Sequence, residues 1–482
     1  MRAALILGTQ VFAQHPSFDD PDIDAFFFVE SAARFERMPY HQHKIVLVLA
    51  AMRQAAARLE AEGREVHRVE LSEGLGFAEG ISRLVEETGA EGLAWMSATD
   101  RGVDERLDRL CAKLGVPTRV YPDALFLTPA ELVDGWFGEH QTPLMEDFYR
   151  WQRRRTGVLM DGDKPAGKRW NFDADNRQPL PKGGLAIPAL PVVARDAITE
   201  RTIAEVAERF AGHPGDASEF WLPVTPEVAR DWLTTFVDER LHDFGRYEDA
   251  MAHDEPFLFH SLISPLLNIG LITVQEVVDA ALAAADDVPL ASIEGFLRQV
   301  IGWREYMRGM YRVHPVLERT NFLGQERKLE GWWYTNEDVP DDLPEPVRAV
   351  LARVHRWGYA HHIERLMVLG NWFLLQGYEP REVTRWFSAL FVDAYEWVMV
   401  PNVMGMSQYA DGGLVGTKPY ISGGAYLQRM GSWWSSGREA KESAFTDAYW
   451  RFLDEHEDRL AGNHRLARPL AQMRSRREAA AE

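Results

Sequence analysis

The chain has 482 residues, of which 46% are hydrophobic and 26% charged, a composition typical of a water-soluble globular protein. This length predicts two or three domains. The formal net charge of −20 argues against broad nonspecific nucleic-acid binding, which needs clustered Lys and Arg, but still allows a confined basic groove. No apolar run is long enough to span a bilayer, and the start of the chain is too short for a signal peptide. We therefore expect a cytoplasmic protein without a membrane partner.

Cysteine is nearly absent from the sequence. Cys111 is the only one, which excludes an intrachain disulfide. A zinc or iron–sulfur site built from cysteines alone is excluded for the same reason, since such sites use four thiolates.

The first 130 residues alternate between strand-like and helix-like patterns. Strands are predicted at 3–7, 65–70, 92–96 and 118–121, and helices at 44–62, 80–87 and 101–114. Regular alternation of this kind is typical of a doubly wound parallel sheet. The first turn after a strand, from Gly8 to Gln14, lacks the GxGxxG pattern, so a conventional dinucleotide site is not indicated.

The periodicity fades between 131 and 205, where Gly, Pro and Asp clusters indicate a connector that is either ordered on the surface or flexible. Helical patterns then dominate, at 202–210, 226–244, 273–284, 292–311, 346–375, 380–398 and 445–460. We predict an α/β plus all-α fold with three parts. These are an α/β domain at 1–130, a connector at 131–205 and a helical domain at 206–482.

Two adjacent histidines open a predicted helix at 359–372. Its apolar stripe is typical of a core-facing helix and consists of Ile363, Leu366, Met367, Gly370 and Phe373. Adjacent helical positions point about 100° apart, so one of His361 and His362 can face the interior while the other faces a cleft. A cleft histidine can donate a proton near neutral pH. The alternative is a surface histidine beside a hydrogen-bonded core histidine.

Two further segments carry polar groups suited to a ligand. Ser261 and Ser264 precede a helix opened by Pro265, and such a helix start suits a phosphate, although an ordinary N-cap is the alternative. In the amphipathic segment at 296–306, Arg298, Trp303 and Arg304 could line a basic, aromatic-walled pocket.

Five segments in this order resemble the photolyase–cryptochrome superfamily, over almost the whole chain. They lie at 160–177, 264–270, 299–305, 360–367 and 406–413, and a glycine-rich loop follows at 418–426. The branch they resemble is the bacterial photolyase-related (6-4) photolyases, which are usually built around an iron–sulfur cluster.

The resemblance implies a U-shaped FAD within the helical domain. By position, the residues that would hold it are Ser261, Ser264, Asn268, Arg304, Asp393 and Asn402. His361, His362, Tyr420 and Tyr426 would line a pocket for a DNA lesion flipped out of the duplex. Reduced FAD would give the lesion an electron, and His362 is our choice for the residue that supplies a proton.

The resemblance also suggests an electron path, a DNA surface and an antenna site. Trp386, Tyr395 and Trp333 (with its neighbours Trp332 and Tyr334) are candidates for electron transfer, core packing being the alternative. A basic DNA rim could use Arg365, Arg381, Arg385, Lys418 and Arg429, a solvated face being the alternative. Many members carry 6,7-dimethyl-8-ribityllumazine, which we would seek near Glu30, Ala33 and Arg37 and the loop at 8–12.

The cluster cysteines are missing from the positions where the family has them. Three of these positions are occupied by Trp434, Gly437 and Ser443, and no cysteine lies between 331 and 361. We therefore predict no iron–sulfur cluster, its volume being filled by side chains such as Trp433 and Trp434.

The leading hypothesis is a lyase, a monomeric (6-4) photolyase that acts on UV-damaged DNA. The first alternative is a cryptochrome-like blue-light photoreceptor that uses flavin photoreduction for signalling. The second is a helical binding protein whose α/β domain takes a small nucleotide.

Overall fold

A computed structural model describes residues 1–481, and the α/β plus all-α fold class is confirmed. Five parallel strands form one sheet in the order β3-β2-β1-β4-β5. They are β1 (Arg2–Leu5), β2 (Ala25–Val29), β3 (Glu65–Val69), β4 (Gly92–Met96) and β5 (Thr118–Tyr121). Helices lie at Ala32–Glu36, Gln42–Ala61, Phe77–Thr88 and Val103–Leu114, with a 3₁₀ turn at Leu71–Glu73.

Strand β2 was missed by the sequence analysis, although it lies inside the sheet. It pairs with β1 through Ala25 opposite Ala3, and with β3 through Ala25 opposite Glu65. Phe26 and Phe28 belong to the main hydrophobic core, whereas Phe27 belongs to a second core on the other face of the sheet. Because helices cover both faces, β2 has no polar alternation by which to recognise it.

The segment predicted as a connector contains regular structure that the sequence pattern did not indicate. Its elements are helices at Ala130–Glu139 and Met145–Thr156, a two-stranded hairpin of Met160–Asp161 with Lys164–Pro165, and a 3₁₀ turn at Ala166–Lys168. The boundaries at 130 and 205 stay predictions.

The rest of the chain is helical. The α-helices are Ala197–Arg209, Pro226–Glu239, Leu241–Tyr247, Ser264–Asn268, Val274–Ala283, Leu290–Leu297, Arg304–Val313, Trp332–Thr335, Glu345–Trp357, Asn371–Leu375, Pro380–Leu390, Glu396–Met399, Gly424–Met430, Gly437–Lys441, Ala444–Glu455, Glu457–Leu460 and Ala467–Ala481. Short 3₁₀ turns lie at Ala217–Glu219, Pro315–Arg319 and His464–Leu466. In the described residues no helix is long and apolar enough to cross a membrane.

Three segments of the helical region have π-helical geometry, at Arg298–Trp303, Glu364–Gly370 and Val400–Ser407. Such wide turns are rare and often occur at functional sites. Two of these segments touch, because a Cβ on Gly370 would lie 2.2 Å from Ser407 Oγ. The same Cβ would lie 2.7 Å from the backbone carbonyl of Arg365, so position 370 requires glycine.

The prediction of a single helix at 346–375 is wrong, because the helix is interrupted before the histidines. The first helix ends at Trp357, and Gly358 follows it with a φ of 62° in the left-handed region that favours glycine. Helical geometry resumes only at His362.

The two regions are joined by side chains of the first region that reach the helical one. Lys44, which is 7% exposed, donates hydrogen bonds to the carbonyls of Ser388 and Ala394. Arg53 forms an ion pair with Glu205 at 2.7 Å.

Candidate active site

The paired histidines lie where the helix begins. The carbonyl of His361 accepts a hydrogen bond from the amide of Arg365 at 3.0 Å, so His361 occupies the position before the first helical residue. His361 is completely buried, whereas His362 is exposed. One histidine of the pair thus faces the interior and the other solvent, which fits both the cleft prediction and the surface alternative, and His361 lies just before the helix rather than in its first turn.

A buried polar cluster lies behind the pair. The ring of His361 stacks on His260 with centroids 4.5 Å apart, and its Nε2 is 3.5 Å from Glu364 Oε1. Glu364 also forms an ion pair with Arg353. Burial lowers the pKa of His361 well below its ordinary value, and the nearby His260 lowers it further. Burial also raises the pKa of Glu364 to about 8, although Arg353 opposes that shift.

A second network centres on Asp393. Arg365 donates to both carboxylate oxygens, at 2.8 and 3.0 Å, and Ser264 Oγ donates to one of them at 2.6 Å. Asn268 Nδ2 donates to the Asp393 carbonyl at 2.9 Å. Burial raises the pKa of Asp393, but Arg365 and the hydrogen bonds outweigh it and leave the pKa below its ordinary value. Three predicted cofactor residues are therefore connected.

Arg304 extends this network. Its guanidinium donates to Asn268 Oδ1 at 3.2 Å and to the Leu125 carbonyl at 2.9 Å, and lies 4.3 Å from the centre of the Phe126 ring. Burial lowers the pKa of Arg304 to about 10. Within residues 1–481, Arg304 forms no ion pair and its buried Nε has no hydrogen-bond partner. An anionic group would satisfy this charge.

The remaining residues proposed for the pocket or cofactor lie nearby but differ in their contacts. Ser261 is half-buried, and its carbonyl accepts the indole N–H of Trp232 at 3.1 Å. Asn402 is the third residue of the last π-helical segment, is half-buried, and donates to the Val398 carbonyl at 2.8 Å. Arg298 is not available as a pocket residue, because it is buried in ion pairs with Glu294 and Glu146, each at 3.0 Å.

His362 is partly enclosed by neighbouring protein although its ring is exposed to solvent, and we call this partly enclosed surface the recess. Burial by surrounding protein lowers its pKa to about 4, and the charge of Arg365 lowers it further, although solvent reaches the ring. Arg177 lies near enough to lower the pKa of His362 and of the two half-buried tyrosines, Tyr420 and Tyr426. Burial is the larger influence on both tyrosines and raises the pKa of Tyr426 to about 12. The charge of Arg177 therefore acts on His362, Tyr420 and Tyr426 alike.

Arg177 was not assigned a role from the sequence. It closes the segment at 160–177 that supports the resemblance, which is the signal that could have identified it. Its φ of 61° is unusual for a residue with a side chain, and its guanidinium pairs with Glu248 at 3.2 Å and Asp249 at 3.7 Å. These contacts attach the connector to the helical region beside the recess.

The basic rim is only partly as expected. Lys418 and Arg429 are exposed and lie 5.8 and 5.3 Å from the ring centres of Tyr420 and Tyr426. Arg365 does not belong to this rim, because both of its Nη atoms are engaged by Asp393.

Two other arginines expected at the rim lie on another helix. Arg381 and Arg385 are exposed on Pro380–Leu390, and the charge of Arg385 is felt by Tyr334. The structure thus brings Lys418 and Arg429 to the recess tyrosines, whereas Arg385 is near Tyr334.

Two of the predicted electron carriers are in contact, and the third is elsewhere. The rings of Trp386 and Trp333 are completely buried with centroids 6.0 Å apart, and Trp333 stacks on half-buried Trp332 at 4.1 Å. Trp386 is linked to the Asp393 network through Phe391, whose ring lies 5.9 Å from Trp386 and 4.4 Å from Arg365.

Tyr395 lies apart from this run. Its ring is 5.0 Å from the ammonium of Lys44, and its hydroxyl has no hydrogen-bond partner in the described part of the chain.

The residues chosen for the antenna differ in exposure and in their partners. Glu30 is 6% exposed, and its two oxygens are held by Arg53 at 2.8 and 2.6 Å and by the Leu71 amide at 3.0 Å. Ala33 and Arg37 are exposed, and Arg37 is 3.5 Å from the Tyr40 hydroxyl. Glu30 therefore supports the fold rather than an open ligand site.

The segment that replaces the cluster cysteines is occupied by side chains. Trp433 is buried, with its ring 5.5 Å from the guanidinium of Arg353, and Trp434 is half-buried. Gly437 opens a short helix, and Ser443 caps the next one by accepting the amide of Thr446.

Comparison with known proteins identifies the family. The model of the deoxyribodipyrimidine photo-lyase-related proteins matches residues 4–222. A (6-4) photolyase of Agrobacterium fabrum is 37% identical over 482 residues, which cover 97% of this chain and 94% of the relative. The chain belongs to the photolyase-related protein family. As a photolyase-family member it is a DNA-repair flavoprotein, and the family implies FAD as cofactor and DNA as substrate.

Solved structures agree on the fold. A class III photolyase of Agrobacterium tumefaciens aligns over 95% of this chain and 87% of its own, with a TM-score of 0.54 and 17% identity. A cryptochrome of Synechocystis aligns over 94% of this chain and 89% of its own, with a TM-score of 0.56 and 11% identity. At these identities the likeness extends to the fold alone.

The residues present fit the cofactor that the family implies. Half-buried Arg304 lacks an anionic partner within residues 1–481, and Ser264, Asn268 and Asp393 form a connected polar wall beside it. These groups suit the phosphates and the polar edge of FAD.

Proposed function

We propose that this protein repairs (6-4) pyrimidine–pyrimidone photoproducts in DNA by a light-driven reaction. The observation that carries the proposal is the accessible ring of His362, three residues before Arg365, which forms an ion pair with Asp393. The charge of Arg177 acts on His362, Tyr420 and Tyr426 alike, which supports a recess that these three residues share. A lesion base flipped into that recess would meet a titratable group and two aromatic side chains together.

The cofactor side of the recess is assigned to the polar wall. Ser261, Ser264 and Arg304 would hold the phosphates, and Asp393 and Asn402 would face the polar edge of the ring system. Reduced FAD, when bound, supplies the light-driven electron to the lesion. Asn268 fixes the relative positions of Arg304 and Asp393, since it accepts a hydrogen bond from the Arg304 guanidinium and donates one to the Asp393 carbonyl.

His362 is assigned as the proton donor, and its charge state depends on the substrate. With a pKa of about 4, its imidazole is neutral at pH 7 and carries a single N–H. Negative charge that develops on a lesion beside the ring favours the protonated form and raises the pKa. His361 is completely buried and would position the pair rather than touch the lesion.

DNA binding is assigned to the exposed cations beside the recess. Lys418 and Arg429 would contact backbone phosphates on either side of the flipped lesion. Arg385 could contribute at a distance from the recess. A small basic rim of this kind is compatible with a strongly acidic protein.

Electron resupply to the cofactor is assigned to Trp386 and Trp333. Their ring separation of 6.0 Å and the further stack on Trp332 support a route from the Asp393 side to the surface.

We also propose that the protein holds no iron–sulfur cluster. Its single cysteine, Cys111, is buried in the second core of the α/β region, and a cluster needs several thiolates. Iron and acid-labile sulfide in stoichiometric amounts in the pure protein would overturn this proposal.

The antenna proposal is narrower than the sequence suggested. Glu30 is held by Arg53 and is not available to a ligand. Of the two charged residues chosen for the antenna, only Arg37 is accessible, and we propose that lumazine would bind beside it. Extraction and chromatography of released chromophores test this point, and flavin alone would contradict it.

The deciding experiment is repair by the fully reduced, FAD-loaded protein. Under illumination we expect repair of an oligonucleotide carrying a (6-4) photoproduct and no repair of one carrying a cyclobutane dimer. Repair of neither would favour the photoreceptor alternative.

The residue assignment is tested by His362→Ala. We expect FAD to remain bound while the repair rate falls roughly 100-fold or more, the usual scale for a lost general acid. His464→Ala removes an exposed histidine from a separate turn and should leave repair unchanged. Equal repair rates in the two variants would remove His362 from the mechanism.

A further inference from the structure

A cavity of about 380 Å³ lies away from the recess, on the other side of the tryptophan run. This volume lies in the range of small-molecule sites, roughly 300–1,000 Å³. Its lining includes three aromatic and four charged side chains, namely Trp332, Trp372, Tyr378, Arg327, Asp342, Asp447 and Arg451. Neither the proposed cofactor residues nor the proposed lesion residues line it.

The cavity begins where the tryptophan run ends. Trp332 lines it and stacks on Trp333 with an interplanar angle of 27°, and Trp333 in turn contacts Trp386. Tyr378 also lines the cavity, and its hydroxyl accepts the indole N–H of Trp333 at 3.2 Å. A molecule in the cavity would therefore touch the solvent-facing end of the electron route.

The charged side chains that line the cavity limit which kinds of molecule could bind there. The side chains of Asp342, Asp447 and Arg451 are exposed, and within residues 1–481 they form no ion pair and no hydrogen bond. The fourth charged group, Arg327, is held by Glu330 at 2.7 Å, so the unpaired lining groups are two carboxylates and one guanidinium, whose net negative charge disfavours a phosphate-bearing ligand. The carboxylates accept protons and hydrogen bonds from hydroxyl groups. Aromatic walls favour a flat ring.

We propose that this cavity binds a small uncharged hydroquinone, a flat ring with two hydroxyl groups, which returns an electron to Trp332. The inference rests on the tryptophan route of the proposed function. After Trp386 has given an electron to the cofactor, Trp333 refills Trp386 and Trp332 refills Trp333, which leaves Trp332 one electron short. The hydroquinone gives Trp332 one electron and gives one O–H proton to the carboxylate of Asp342 or Asp447.

The step balances in charge and atoms. Trp332 returns to its neutral form, the carboxylate becomes a carboxylic acid that later releases its proton to solvent, and the hydroquinone becomes a neutral radical. Two such radicals exchange a hydrogen atom to give one quinone and one hydroquinone.

Binding is tested first in the dark, on the complete FAD-loaded protein without oxygen. Benzene-1,4-diol is titrated by calorimetry, and its contacts are mapped by saturation-transfer NMR. We expect a saturable site whose affinity falls at least 10-fold in the double variant Asp342→Asn/Asp447→Asn. Asp341→Asn is the matched control, since this neighbouring carboxylate does not line the cavity. Equal affinities in the double variant and the control would overturn the proposal.

The electron step is tested by the rate of cofactor photoreduction. In the wild type this rate should saturate with benzene-1,4-diol at the concentration set by the dark affinity. In Trp332→Phe it should rise only linearly and slowly, because reduction then depends on random collisions. A linear dependence in the wild type would overturn the proposal.

The outcome is independent of the repair assay, which uses protein reduced chemically beforehand. Repair without a saturable site would remove the cavity assignment alone. Saturable binding and photoreduction without (6-4) repair would leave the cavity assignment standing and remove the proposed repair function.

Discussion

A buried charged group of the sheet region and two buried polar groups of the helical region differ in how completely neighbours satisfy them. In the first, Glu30 is 6% exposed and both of its oxygens are held by neighbours. In the second, Arg304 and His361 retain buried nitrogens without partners in the described part of the chain, close to three π-helical segments. Unsatisfied buried groups are costly. Such atoms also occur in the sheet region, at Gln10 and His15 for example, but those of Arg304 and His361 adjoin the charged networks of the candidate site, where a ligand could satisfy them.

The strongest test of this comparison is a substitution of Asp393, for which we expect the largest loss of stability and of FAD. Asp393→Asn leaves Arg365 buried without its carboxylate partner, which costs about 3–5 kcal/mol in the free energy of unfolding. We expect almost complete loss of FAD as well, because the same carboxylate organises the polar wall. The measurements are the FAD-to-protein ratio by absorbance and stability by urea unfolding.

Glu30→Gln is the matched control, because Glu30 is also 6% exposed and also forms an ion pair with an arginine. It should lose stability on the same scale but retain FAD. If both variants lose FAD equally, the loss reflects instability and the contrast between the regions fails.

Acid should affect both regions alike, by about 2 kcal/mol for each buried histidine. Desolvation lowers the pKa of His15 in the sheet region and of His355 in the helical region to about 4, whereas the unfolded chain titrates near 6.5. The unfolded state thus binds protons first as pH falls. As the pH falls from 6.5 to about 4, the free energy of unfolding therefore decreases, and by pH 5 each histidine has removed roughly 2 kcal/mol.

Urea unfolding between pH 7 and 5 measures this loss. His15→Asn and His355→Gln keep a hydrogen-bonding group in place of the ring nitrogen that is used, Nδ1 and Nε2 respectively, and neither variant titrates. Each variant should have a flatter dependence of stability on pH. An unchanged slope in both would contradict the assigned pKa shifts.

A smaller effect, on the rate of cofactor photoreduction, is expected to distinguish two buried tryptophans. Trp333 and Trp95 are both completely buried, and Trp95 donates its indole N–H to Asp104 within the sheet region. Trp333→Phe should slow cofactor photoreduction at least roughly 10-fold, equivalent to about 1.4 kcal/mol. Trp95→Phe should change stability only. Transient absorption and steady illumination measure both, and equal rates would show that Trp333 is packing.

The smallest effect is expected at the surface. Lys418→Ala should weaken lesion binding a few-fold and reduce the slope of log affinity against log salt by about 1, because one phosphate contact is lost. Lys113→Ala removes an exposed lysine from the sheet region and should change neither quantity. Fluorescence anisotropy at several salt concentrations distinguishes the two.

The sequence predicted the architecture better than the site. Four of the strands and the long helices follow from apolar periodicity, whereas β2 escaped because it is buried on both faces. The break at Gly358 depends on one glycine within an otherwise continuous helical pattern. The ion pairs of Arg365 and Glu30 depend on partners 28 and 23 residues away in the chain, which periodicity does not reveal.

Lys44 links the sheet region to the helical region, and this link affects whether the two regions can be separated. Its ammonium reaches across to carbonyls at either end of the short segment 388–394, which contains Asp393. Burial lowers the pKa of this lysine to about 7, so its charge can change within the physiological range. The halves of the protein are therefore poor candidates for separate expression or exchange between relatives, since a foreign first region would leave the cofactor segment without its support.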